Sequence, residues 1–146
     1  KNWEEDDTDE TQAMIRHPYV HAREIHGKDA VGGSIFEVDL DVTHPIAYGY
    51  RNRKIPVYRN NSVWLEPSKN QFSNVAVYTE DPHIDGFITD KIRDEFLKKS
   101  ASVVVSKVGS GRVVLFAEDP NFRGTWYGTN KLFLNALFFG DKIQVP

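Results

Sequence analysis

The stretch Lys131-Leu132-Phe133-Leu134-Asn135-Ala136-Leu137-Phe138-Phe139 constrains the fold of this chain more than any other. Thr129 or Asn130 before it suits an N-cap and Gly140 after it suits C′, so the stretch predicts a helix. Wound that way, it places Leu132, Ala136 and Phe139 on one stripe, Phe133 and Leu137 on a second, and Leu134 and Phe138 on a third. Apolar groups then surround nearly the whole circumference. One sheet covers one side only, and each large side chain left bare forfeits about 1.5–3 kcal/mol of burial. The second cover has to come from another part of the chain, a partner subunit or an adjoining domain.

Around this helix the chain reads as a single α/β domain. Ser34–Leu40 alternates, with Phe36, Val38 and Leu40 on one face and Glu37 and Asp39 on the other, as a half-buried strand does. Ile55–Tyr58, Ser62–Leu65 and Asn74–Thr79 are further short strands, and Pro56 assigns the first of these to a sheet edge or a strand end. Ala101–Val108 and Arg112–Ala117 are Val-rich runs joined by Gly109-Ser110-Gly111, a hairpin signature. Their continuous apolar character places both in the centre of a sheet with both faces covered. Thr89 as cap, Ile92, Phe96 and Leu97 as stripe, and Lys98-Lys99 at the end predict a second, amphipathic helix.

The first 31 residues differ in kind. Lys1–Glu10 holds six of the 21 acidic residues against one lysine, and Trp3 is the only large apolar side chain before Thr11. Such a tract cannot offset its ordering entropy, so residues 1–31 read as an acidic linker with at most a short helix between Gln12 and Ile25. Residues 32–146 form the domain. The opening at Lys1, with no charged and apolar leader, predicts a piece of a longer polypeptide.

Composition removes whole classes of function. Cysteine is absent, which excludes thiol catalysis, thiolate metal sites and disulfides. No apolar run nears the ~20 residues of a membrane span. A net charge of −3 gives no support to nucleic-acid binding.

Three segments carry groups capable of chemistry. His21-Ala-Arg-Glu24 is an HxxE tetrapeptide with His17 and His26 nearby; it reads either as two zinc ligands on one turn or as a solvated polar segment. Asp39, Asp41, Thr43 and His44 meet at a strand end, either as acid/base groups or as a capped turn with His44 packed on Pro45 and Tyr48. The segment Ala117–Asn130 runs from a strand end to a helix start, where α/β folds bind ligands. Its Phe122, Arg123, Trp126 and Tyr127 are also the residue types that anchor interfaces. A ligand-binding module taking a small molecule, carbohydrate or peptide would converge His44, Arg123, Trp126 and Tyr127 on one pocket. A divergent enzyme would pair His44 with Asp39 or Asp41.

The blocks Gly32–Tyr50, Gly109–Phe116 and, above all, Asp119-Pro120-Asn121-Phe122-Arg123-Gly124-Thr125-Trp126-Tyr127-Gly128-Thr129-Asn130-Lys131-Leu132-Phe133-Leu134-Asn135-Ala136 resemble the C-terminal region of large exported zinc carboxypeptidases of Bacteroidetes-type bacteria. The resemblance spans roughly Gly32 to Gly140. It implies an open, mostly parallel sheet with a C-terminal β-hairpin and flanking helices, similar to the flavodoxin-like fold of class I glutamine amidotransferases, complete or in part. The amidotransferase nucleophile, a Cys, is missing. The zinc ligands of the peptidase are expected in an upstream catalytic domain, leaving this segment without catalytic residues or cofactor. The implied role is a non-catalytic accessory domain of a secreted or periplasmic peptidase, serving domain packing or substrate positioning. Its expected partner is the adjoining peptidase domain, with a second copy of the fragment as a substitute.

Overall fold

A computed structural model describes residues 17–145. Five strands, β1 (Ser34–Leu40), β2 (Lys54–Arg59), β3 (Asn74–Gly86), β4 (Ala101–Val108) and β5 (Gly111–Phe116), form one sheet in the order β2-β1-β3-β4-β5. Every neighbouring pair is antiparallel. This overturns the mostly parallel, amidotransferase-like α/β arrangement. Parallel pairing needs a long, usually helical crossover between neighbouring strands. Here β1 and β2 are joined through a short 3-10 turn at Pro45–Ala47, and β4 and β5 through the two residues Gly109-Ser110. Register shifts between β1 and β3 and between β3 and β4 bend the sheet into a curled half-barrel.

The core lies on the concave side. Phe36, Val38 and Leu40 of β1 join Ile55 and Val57 of β2, Ala76 and Tyr78 of β3, and Val103 and Val105 of β4, all buried. Ile46 and Ala47 of the 3-10 turn, Ile92, Leu97, Leu132 and Ile143 close over them. β1 has the face assignment its alternation requires, with Glu37 and Asp39 turned outward to pair with Lys54 and Arg53. Pro56 does sit on an edge strand, because β2 is one end of the sheet.

Other elements depart from the sequence reading. Ser62–Leu65 is not a strand; only Leu65 bridges, to Ala101. The segment after Thr89 is not a regular helix: a π turn at Ile92–Phe96 runs into a 3-10 turn at Leu97–Lys99. Of its expected stripe, Ile92 and Leu97 are buried while Phe96 is partly exposed and stacks on Trp64. β4 is covered on both faces from Ala101 to Val105 and exposed at Lys107 and Val108, while β5 is the far edge of the sheet and alternates between exposed and half-buried.

Two α-helices occur among the described residues. α1 (Ala22–Gly27), after a 3-10 turn at Tyr19–His21, buries nothing. The part of the expected helix before His17 lies outside the described residues. α2 (Tyr127–Phe139) starts before both expected caps, two residues ahead of Thr129 and three ahead of Asn130; Thr129, inside the first turn, donates its hydroxyl to Pro120 O at 2.8 Å instead. It rests on the 3-10 turn after β1 through Leu132 and Asn135, whose side-chain amide donates to Ile46 O at 2.7 Å and Tyr48 O at 2.9 Å. Its opposite side has no cover among the described residues: Leu134 is 48%, Leu137 66% and Phe138 74% exposed. No described helix is long and apolar enough to cross a membrane.

Candidate functional site

The expected convergence of His44, Arg123, Trp126 and Tyr127 does not form. His44 lies beyond the Leu40 end of β1, whereas Arg123 and Trp126 belong to a cluster at the Ser34 end. Tyr127 is exposed on the outer side of α2.

His44 caps the Pro45–Ala47 turn: its Nδ1 accepts from Ile46 N at 3.2 Å. Burial holds its pKa below the ordinary histidine value, against the opposing pull of Asp41. Asp41 accepts from the amide and hydroxyl of Thr43 at 2.9 and 2.6 Å. Its carboxyl is raised by burial but brought below its usual value overall by those bonds and by His44 and Arg53. Asp39 is held bidentate by Arg53. His44 Nδ1, Asp41 and Asp39 are each engaged in holding the chain, as the turn-capping reading requires, while His44 Nε2 is buried with no hydrogen-bond partner among the described residues.

His21 and Glu24 form an exposed i,i+3 contact of 3.8 Å on the first turn of α1. Among the described residues no three of His, Asp or Glu gather in a metal-holding arrangement.

The segment between β5 and α2 builds a concavity of about 300 Å³. Phe122 lies against Tyr58 of β2 with ring centroids 3.9 Å apart, and Trp126 approaches the same Tyr58 at 6.3 Å. Arg123 adopts φ 49°, a left-handed conformation rare outside glycine, and its guanidinium sits 5.2 Å from the Phe122 ring centre. Asp85 and Gly86 of β3 and Gly33 and Ser34 complete the walls. Two glycines make the approach feasible. A Cβ at Gly33 would stand 2.8 Å from the Tyr58 hydroxyl, and one at Gly86 would meet the Gly33 carbonyl at 2.8 Å. The indole Nε1 of Trp126 is buried and donates to no acceptor among the described residues.

A buried polar cluster escaped the sequence reading. Arg59, fully enclosed, donates to the Tyr78 hydroxyl at 2.8 Å, and Tyr78 donates to Glu118 at 2.6 Å. Arg59 also reaches the carbonyls of Asn61 and Val63 and lies 4.1 Å from the Trp64 ring centre. Burial raises the Glu118 carboxyl above its usual value against the pull of the Tyr78 and Ser102 hydroxyls and the Arg59 charge. The Tyr78 hydroxyl is raised still further, by burial and by Glu118. Arg59 ends a strand whose alternation could have flagged it as inward-facing. Nothing local marks Glu118 or Tyr78 as its partners, since they lie 59 and 19 positions away in the chain.

No protein-family model, curated protein or solved structure matches this chain.

Proposed function

We propose that this chain is a non-catalytic accessory module that seats the outer side of α2 on an adjoining protein domain. One observation carries the reading: Tyr127, Leu134 and Phe138, at i, i+7 and i+11, line one exposed stripe, with Leu137 beside it. Fully burying a side chain of this size contributes about 1.5–3 kcal/mol, and the exposed half to three-quarters of each is the share still to be gained. A tethered domain presents itself at about millimolar effective concentration, so this is enough to hold two domains of one polypeptide together. The resemblance of the Asp119–Ala136 block makes an exported zinc carboxypeptidase domain the proposed neighbour, in a secreted or periplasmic setting; the peptide-hydrolysing zinc site would be the neighbour's.

The test is amide hydrogen exchange on a polypeptide carrying this chain behind a zinc carboxypeptidase domain. Slower exchange across Tyr127–Phe139 than in the separate chain, abolished by Leu134→Glu/Phe138→Glu, is the expected result. Identical exchange in both settings would overturn the proposal.

A second reading, small-ligand binding, has its own support in the Tyr58/Phe122/Trp126 concavity. Its aromatic walls and the Asp85 carboxylate suit a ring carrying a basic nitrogen. Benzylamine should quench indole fluorescence saturably in the wild type and not in Asp85→Asn; equal responses would remove this reading.

A further inference from the structure

The two edges of the sheet are built differently. β2 carries Pro56, which has no N–H to offer a neighbour, and Lys54 beside it, two of the usual protections of an exposed edge. β5, Gly111-Arg-Val-Val-Leu-Phe116, has no proline and no bulge against β4. Its single charge, Arg112, is turned back onto carbonyls of Ile143, Gly111 and Ser110. Val113 and Leu115, 42% and 43% exposed, lie on one face, and Val114 and Phe116, half-buried, on the other. This is the composition of an interior strand standing at an edge.

The free backbone groups are fixed by the hairpin. In a two-residue hairpin closed by Val108 and Gly111, alternate pairs are hydrogen-bonded, so Gly111, Val113 and Leu115 bond to β4. The N–H and C=O of Arg112, Val114 and Phe116 therefore point away from the sheet, and these amides have no other backbone partner among the described residues. The outward set is centred on Val114.

We propose that two copies of this chain pair β5 to β5, antiparallel about a two-fold axis at Val114, to form one continuous ten-stranded sheet. This register satisfies the whole outward set: Val114 exchanges bonds with Val114 of the second copy, and Arg112 with its Phe116, about six bonds in all. Val113 comes to lie opposite Leu115 of the second copy in the close, non-hydrogen-bonded pair, so the two exposed apolar side chains cover each other. The ends are complementary in charge. The hairpin end, with Lys107 and Arg112, meets the segment leaving β5, where Asp119 is exposed, and symmetry repeats the match. Phe133 of α2, beside Phe116 at 6.5 Å between ring centres, lies on the flank nearest the seam. The pairing rests on β5 and does not depend on what the Tyr127–Phe138 stripe meets.

Sedimentation equilibrium across about 1–100 µM tests it. The wild type should reach twice the 16.7 kDa chain mass. Val113→Lys/Leu115→Lys sets like charges across the seam and should be monomeric. Val113→Lys/Leu115→Glu sets opposite charges there and should restore the dimer. Both variants place two charges at the same exposed positions, so a folding defect would affect them alike. A monomeric wild type, a failure of the second variant to recover, or a dimer lost on Leu134→Glu/Phe138→Glu but kept in Val113→Lys/Leu115→Lys would overturn the proposal.

Discussion

His44 is a cap that acid can spoil. Its folded pKa lies below the ordinary 6.5, so on acidification the unfolded chain takes up a proton that the folded one resists. Stability is full above 6.5 and declines as pH falls through that value toward the lower folded one. His44→Asn keeps a side-chain acceptor for the Ile46 amide and should flatten this decline in urea titrations, while His44→Ala should cost about 0.5–2 kcal/mol at neutral pH. Glu118 has the opposite sign. Its carboxyl is raised in the fold, so its favourable contribution is complete below the unfolded pKa and is eroded as pH rises through the folded value. The link between it and Arg59 is Tyr78, and Tyr78→Phe strips one partner from each ion. That change should cost about 3 kcal/mol by urea denaturation, more than an exposed tyrosine loses. The Asp-x-Thr-His-Pro turn was legible in the sequence because its capping bonds, Thr43 to Asp41 and Ile46 to His44, are local. The Arg59–Tyr78–Glu118 cluster was not, because only the folded sheet brings those three together.

The elements show where periodicity informs and where it stops. A period of two identifies β1 and its buried face whatever the direction of its neighbours. For that reason it could not tell an antiparallel half-barrel from a parallel sheet. The Gly109-Ser110 hairpin was readable from its turn residues, whereas the edge position of β5 was hidden by an apolar run that reads as central. The oiliness of Lys131–Phe139 was equally plain, yet the described chain covers one side of α2 rather than two. Single substitutions separate the two sides. Leu132→Ala, on the buried side, should cost about 2–5 kcal/mol, and Leu134→Ala, half-exposed on the opposite side, about 1 kcal/mol or less in the isolated chain. Thermal unfolding of both variants measures the contrast; equal losses would mean that something covers Leu134. Arg123→Gly probes the segment before α2. Removing a left-handed non-glycine residue relieves about 1 kcal/mol of backbone strain, offset in part by the extra freedom of glycine, so a small rise in Tm is expected.

For the molecule as a whole, core contacts begin within the stretch that composition assigned to the linker. Val31, counted with the acidic linker by composition, is buried in the core cluster. Just before it, Lys28 O accepts from Thr89 at 3.1 Å, Asp29 O accepts from Ser62 at 3.3 Å, and the Asp29 carboxylate meets Lys91 at 3.0 Å. α1, by contrast, buries no side chain, and its two ion contacts, His21–Glu24 and Lys28–Glu24, are exposed and worth well under about 1 kcal/mol each. Deleting residues 17–27 should therefore leave Tm within about 2 °C of the full chain, because surface changes of this kind stay within about 0.5 kcal/mol. Extending the deletion through Val31 opens the core cluster at that residue and removes the Thr89 and Ser62 acceptors together. That longer deletion should lower Tm by well over about 5 °C, and finding the two deletions alike would show that the contacts of Lys28–Val31 do not hold the fold.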